Sequence, residues 1–203
     1  MYIPEYQNNK NIDELKLFIS ENSFGILVTH SENRSHATHI PLLLEKDEEG
    51  ADVLTGHIAK ANFQWKHFGQ DDVLCIFNGP HAYISSSWYK EEEVPTWNYI
   101  AVHIYGSLQL LTEEQTMNSL HRLVDTFEAN SKNPISLHNM STKTLRQVKG
   151  IVGFQIKIKE IQARYKLSQN REEDHAQIVS ELREQNSQNT NAIADLIVRN
   201  PSK

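Results

Sequence analysis

The sequence predicts an α+β protein centred on an antiparallel β-meander that curls into a barrel. Three observations predict it. Short apolar runs recur between compact polar turns from Phe24 onward. Helical spacing is confined to a few segments, chiefly Asp13–Asn22, Thr112–Phe127 and the stretch after Asn170. Hydrophobic residues are 38% of the 203 and charged residues 23%, enough for one folded core.

Asp13–Asn22 carries Leu15, Leu17, Phe18 and Ile19, and Asn11 stands where a cap is needed, so a short amphipathic helix is expected. Phe24–Thr29 is a buried strand and Ser31–Arg34 the turn after it. Thr38–Leu44 is the next strand, closed by the charged turn Lys46–Gly50, and Ala51–Ile58 is the third. The period then changes. Ala59–Phe68 contains no β-branched residue and carries Phe63, Trp65 and Phe68, which predicts a helix. Strand character returns at Asp72–Phe77, around Ala82-Tyr83-Ile84 and at Ala101–Leu111, with Ser85–Asn98 a loop rich in Trp, Tyr and Glu. Thr112-Glu113-Glu114-Gln115 has the form of a capping box, and the helix it opens places Met117, Leu120, Leu123, Val124 and Phe127 on one face. Asn130–Asn139 is a linker containing Pro134, Thr142–Val148 a short helix, and Ile151–Tyr165 the last long strand. Asn170-Arg171-Glu172-Glu173 reads as an N-cap opening a helix with Ile178, Val179 and Leu182. A polar run, Glu184–Asn191, separates it from Ile193, Leu196 and Ile197. This tail is expected to be partly mobile or docked on a partner subunit.

Composition excludes several classes. The single cysteine, Cys75, sits in the apolar run Val73–Phe77 and reads as a small buried hydrophobe; one thiol builds neither a disulfide nor a thiolate metal site. Met1–Tyr6 lacks the basic and apolar segments of a signal peptide, and no stretch approaches the roughly 18 apolar residues of a membrane span, so a cytoplasmic protein is expected. The net charge is −6 and the densest charge run, Lys90–Glu93, is acidic, which argues against direct DNA binding.

Four segments carry chemistry. Leu54–Asn62 runs from a strand end into a helix start, where free backbone N–H groups meet the Thr55 hydroxyl, the Lys60 ammonium and the Asn62 amide; Gly56 lets a ligand approach the backbone. This is either an anion site or a capped junction with surface polar residues. Ser35–Pro41 holds His36 and His39, but on a strand residues three apart face opposite ways, so the pair does not converge on a metal. Gly79–Tyr89 and Pro95–Tyr99 mix Trp, Tyr and small hydroxyls, which suits a flat ring ligand or a subunit interface. Tyr165–Arg171 pairs cationic heads with hydroxyl and amide groups, as a ligand site or simply as a helix cap. No Ser-His-Asp constellation, phosphate-binding loop, dinucleotide fingerprint or HExxH motif occurs.

Taken in order, several strings are similar to those of the PaiB family. They are Tyr2-Ile3-Pro4, Asn22–Gly25, Thr38–Leu42, Thr55–Ala59, Gly79–Tyr89, Val94–Tyr99, Gly150–Phe154 and Lys166–Arg171. The resemblance spans about residues 1 to 185. It implies a homodimeric negative regulator of gene expression, acting on degradative-enzyme synthesis and sporulation, built on an FMN-binding split barrel with helices packed around it. It also implies a division into residues 1–170, the barrel, and 171–203, a helical tail. FMN would lie at the subunit interface. Thr55, His57, Ala59, Lys60 and Asn62 would hold its phosphate, with Trp65 beside them. Thr38 and His39 would line the pocket, and the loop with Ser86, Trp88 and Trp97 would close it from the other subunit. Lys166, Ser168 and Gln169 complete the set. Oxidases of this fold clamp the phosphate with arginine as well as lysine, whereas this chain offers Lys60 and histidines there. No helix-turn-helix is visible. The alternative the resemblance leaves is an FMN-dependent oxidoreductase or a haem-handling enzyme, with His57, His81 or His103 as iron ligands.

Overall fold

The computed structural model describes residues 1–69 and 71–199. Seven strands run through it: β1 (Phe24–Ser31), β2 (Arg34–Pro41), β3 (Leu43–Lys46), β4 (Asp52–Ala59), β5 (Val73–Ile84), β6 (Thr96–Leu110) and β7 (Ile151–Lys166). The helices are α1 (Ile12–Glu21), α2 (Glu113–Glu128), α3 (Thr142–Leu145), α4 (His175–Gln185) and α5 (Gln188–Arg199). The strands form one sheet in the order β2-β1-β5-β6-β7-β4-β3. The chain gathers into two compact units. The first holds Met1–Asn22, Phe77–His103 and the described residues from Gln162 onward; the second holds Ser23–Ile76 and Ile104–Ile161.

In the second unit, β1 and β2 form a hairpin from Phe24↔Pro41 to Ser31↔Arg34. Its two turn residues, Glu32 and Asn33, both take positive φ (51° and 58°), the geometry that matches the twist of a two-residue hairpin. β3 and β4 pair antiparallel, closed by Asp47, whose carboxylate accepts the amides of Glu49 and Ala51. β4 continues onto β7 from Val53↔Lys157 to Ala59↔Ile151. The Thr112 capping box is present with both reciprocal bonds. The most deeply buried side chains of α2, however, are the polar Thr116 and Ser119; Met117, Leu120, Leu123 and Val124 are partly buried and Phe127 stays half exposed. Gly153 explains this, because a Cβ there would lie 2.3 Å from the Thr116 hydroxyl oxygen. The helix is seated where a small side chain meets bare backbone.

In the first unit, α1 is capped by Asn11, which accepts the Glu14 amide, and buries Leu15, Phe18 and Ile19. β5 is continuous through Gly79-Pro80, joining the strand character read at Asp72–Phe77 and around Ala82-Tyr83-Ile84. Gly79 is packed so tightly on Phe18 and Ile100 that a Cβ would sit 2.7 Å from the Phe18 ring. After β7, the helix expected from an Asn170 cap begins instead at His175, following a single 3-10 turn at Glu172–Asp174 whose N-cap, Arg171, makes no side-chain cap bond. The tail expected to be mobile or docked on a partner belongs to this unit: Ile178, Leu182, Ile193, Ala194 and Ile197 are buried within the chain itself, with α5 packed on α4. Each of the buried isoleucine and leucine side chains contributes about 1.5–3 kcal/mol by leaving water. Residues 200–203 of that tail lie outside the described residues.

Candidate functional site

The junction after β4 is a turn and not a helix start. The strand runs to Ala59, and the only helical residues are a five-residue 3-10 segment, Phe63–His67. The helix expected over Ala59–Phe68 is lost because its polar groups are engaged within the turn and by distant parts of the chain. Lys60 N–H donates to Gly150 O (2.8 Å), Asn62 N–H to Ala59 O (2.8 Å), and Trp65 Nε1 to Lys60 O (2.9 Å). Asn62 caps the segment by accepting the Gln64 amide and donates its own Nδ2 to Thr38 Oγ1 at 3.0 Å. Thr38 in turn donates to Gln64 Oε1 at 2.6 Å, and buried Gln64 donates to Thr29 Oγ1 at 3.0 Å and His36 O at 3.2 Å. Thr38 and Asn62 therefore meet in one network around Gln64, a residue the sequence reading passed over, while Trp65 bonds separately to the Lys60 carbonyl. The Lys60 ammonium faces no carboxylate within ion-pair distance among the described residues.

The other residues expected with them are aimed elsewhere. Thr55 is buried and donates to Glu45 Oε2 at 2.6 Å, and that carboxylate also accepts Arg122 of α2 at 2.5 Å. His57 shares the Thr55 face of β4, opposite Gly153, and burial holds its pKa below the ordinary imidazole value. Ala59 follows on that face, exposed. His39 is on the opposite face of β2 from Thr38, exposed and stacked 6.4 Å from the Phe24 ring.

The first unit brings its candidates together more fully. Trp97 lies on β6, not in a loop, with its ring 6.2 Å from His81 and 5.8 Å from Tyr83 of β5. Trp97 is 53% exposed and Tyr83 46%. Alternation along the strands explains the shelf: Ala82, Ile84, Asn98, Ile100, Ala163, Tyr165 and Leu167 are buried, while His81, Tyr83, Trp97, Tyr99, Arg164 and Lys166 turn the other way. Lys166 donates to Thr96 Oγ1, and burial, then the neighbouring Arg164, lower its pKa. Ser168 is buried at φ 59°, exchanging bonds with Asn98, while Gln169 accepts the Leu167 amide and donates to Tyr165 O. These two side chains shape the chain reversal; Lys166 is the cation it presents. Ser86 and Trp88 lie in the 3-10 turn after β5, capped by Ser85. Next to it Arg171 sits 4.3 Å over the Tyr89 ring and pairs with Glu93 at 2.5 Å. His103, half buried on β6, has an unpartnered Nδ1, and its pKa is lowered by burial and then by the N-terminal ammonium. Arg164 was missed, and Tyr99 was read only as part of the Pro95–Tyr99 segment. Carrying the alternation of β7 one step back from Lys166 would have found the arginine.

Residues 1–160 match the sequence model of a family described as "Putative FMN-binding domain". The chain is 44% identical over 200 residues, 97% of its length and 96% of the relative's, to protease synthase and sporulation protein PAI 2 of Bacillus subtilis. Among solved structures, the flavocytochrome Anf3 of Azotobacter vinelandii superposes with a TM-score of 0.62 at 12% identity, covering 81% of this chain and 72% of that one. The FAD and heme binding protein of Mycobacterium smegmatis gives 0.61 at 10%, covering 79% and 73%. At such identities these two share the fold, the split barrel with added helices that the sequence led one to expect. By its agreement with PAI 2 along nearly the whole length of both chains, together with the matching domain model, this chain belongs to the PaiB family.

Proposed function

We propose that the protein is a cytoplasmic, homodimeric, flavin-binding negative regulator of the PaiB type, lowering degradative-enzyme synthesis and sporulation through a bound ligand or protein partner. The observation that carries this reading is the 44% identity sustained over 97% of the chain. The residues fit FMN in unequal measure. In the first unit, Trp97 offers a flat apolar surface and Lys166 a cation. In the second, the turn after β4 holds Lys60 with Asn62 and Trp65, Asn62 being bonded to Thr38, while His39, Thr55, His57 and Ala59 lie on the adjoining strands with His39 and Thr55 engaged elsewhere. When bound, FMN supplies redox chemistry; the chain's own groups bind and orient it. The net charge of −6 favours an indirect effect on gene expression over direct DNA contact. Among the described residues no helix is long and apolar enough to cross a membrane.

A second reading, an FMN-dependent oxidoreductase or haem-handling enzyme, draws support from the flavocytochrome and the FAD and heme binding protein that share the fold. The unpartnered His103 Nδ1 adds to it, as do half-buried His57 and exposed His81.

Titration of the purified protein with FMN, followed by flavin absorbance and fluorescence, tests the ligand; light scattering tests the dimer. Saturable binding weakened in the Lys60→Ala, Asn62→Ala variant is expected. A dimer that binds no FMN would remove the flavin, and bleaching of bound flavin by NAD(P)H would favour the enzyme. Sequence-selective, salt-sensitive retention of promoter DNA would overturn the indirect mode of regulation.

A further inference from the structure

The outer face of β5, β6 and β7 in the first unit combines features that seldom coincide in an acidic chain. The positions those strands turn to that face are His81 and Tyr83, Trp97, Tyr99, Ala101 and His103, and Gln162, Arg164 and Lys166. None is acidic. Arg164 is fixed in place: its Nε donates to Gln7 Oε1 at 2.8 Å, its Nη1 to Tyr2 O at 3.2 Å, and its guanidinium lies 5.8 Å from the Tyr2 ring and 5.4 Å from the Tyr99 ring. Lys166, on the same face of the strand, donates to Thr96. Neither cation meets a carboxylate within ion-pair distance among the described residues, although Asp and Glu outnumber Lys and Arg by 26 to 20 in the whole chain. Beside them a recess of about 340 Å³ is lined by Asn78, Gly79, His81, Trp97, Tyr99 and Ile100.

Two neighbouring cations without a counter-charge repel one another, and an anion seated between them removes that repulsion. The lowered pKa of Lys166, which burial and Arg164 together cause, agrees with such an unmet charge. Exposed Trp and Tyr rings leave apolar area in water that a stacked ring would cover. A guanidinium held by two acceptors and two rings is ordered before any ligand arrives, so little freedom is lost on binding.

We infer that this face is a binding site for a planar aromatic anion, with Trp97 and Tyr99 contacting the ring and Arg164 and Lys166 seating its phosphate, sulfonate or carboxylate. The site stands whether or not the ligand is a flavin. It also places an arginine beside a lysine, away from the Lys60 junction.

The test is calorimetric titration of the full chain with naphthalene-2-sulfonate and with the neutral 2-naphthalenemethanol. Two charge-assisted contacts should favour the sulfonate by about tenfold or more. Lys166→Met and Arg164→Gln should each reduce that preference and the double variant abolish it, while Trp97→Ala weakens both probes and Lys46→Ala, which removes a surface cation paired with Asp52, changes neither. Arg164→Lys, which keeps the charge should Arg164→Gln fold poorly, should retain part of the preference. A preference that survives the double variant, or disappears with Lys46→Ala, would overturn the assignment. So would Trp97 emission that shifts on diluting the protein but not on adding probe, since the shelf would then be a contact between copies of the chain. Repeating the series with FMN and riboflavin separates the sources. Discrimination between those two that follows Arg164 and Lys166 identifies the flavin as the natural anion. Sulfonate binding without FMN binding refutes the flavin reading and leaves this one standing.

Discussion

The side-chain amide of Asn98 donates to the Ser168 hydroxyl at 2.9 Å, and the hydroxyl returns a bond to Asn98 Oδ1 at 3.2 Å, both residues being buried. The pair ties the second residue beyond β7 to β6 at the point where the chain reverses through a positive φ. Asn98→Ala removes both bonds and leaves a buried hydroxyl unpaired, at a cost of about 1–3 kcal/mol. The urea midpoint should fall with an unchanged slope. A midpoint equal to wild type would mean the pair is replaced by water.

The seat of α2 rests on the missing side chain at Gly153. Gly153→Ala puts a methyl group 2.3 Å from Thr116 Oγ1 and 2.9 Å from its Cβ, so the helix must lift or the strand bend. A loss of about 1–3 kcal/mol is expected. Thr116→Gly in the same chain should recover part of it, a coupling measurable in a double-mutant cycle.

His57 and His103 both carry pKa values held below the ordinary 6.5, in each case chiefly by burial. Between the folded and unfolded pKa values the unfolded chain binds more protons, so unfolding draws protons and stability rises with pH across that window. The full contribution is present above about pH 6.5 and is lost as pH falls toward the folded values. Urea midpoints at pH 7.5 and 5.5 should differ, and the difference should shrink in the His57→Gln, His103→Gln variant. An unchanged difference would assign the acid sensitivity to other groups.

Burial pushes the Cys75 thiol up to about 12, and the side chain is fully buried on β5. The thiolate is the reactive form, so a disulfide reagent should leave native protein unlabelled and react at once in denaturant. Rapid labelling of the native state would show that β5 opens locally near Leu27, its partner on β1.

Much of this fold is legible in local sequence. Asn11 and Thr112 announce α1 and α2 because capping is chemistry of neighbouring residues, and the Glu32-Asn33 turn sits between two alternating runs. The errors come from distant partners. The stretches on either side of Gly79-Pro80 read as strand, and Phe18 packs against Gly79 where they join into one continuous β5. Ala59–Phe68 has a helical composition, but Thr38 and Thr29, more than twenty residues away, bind Gln64 and Asn62 and hold the segment in a short turn. Asn62 and Thr55 looked available for a ligand because nothing local shows that Thr38 and Glu45 engage them. Lys166 stood out in a conspicuous motif, whereas Arg164 gains its meaning from Tyr2 and Tyr99, brought to it by the fold.

The packing of α5 has a bearing on synthesis. Its Ile193 and Ile197 are buried in a unit that also needs α1, with Ile19 completely enclosed, and the middle of the chain through Ile84 and Ile100. These pieces are separated by most of the sequence, so their contacts close long loops and form slowly. On the ribosome the residues of the second unit, complete at Ile161, can assemble while α1 still lacks its cover. Until Ile197 emerges, the nascent chain exposes apolar helix surface that chaperones would hold.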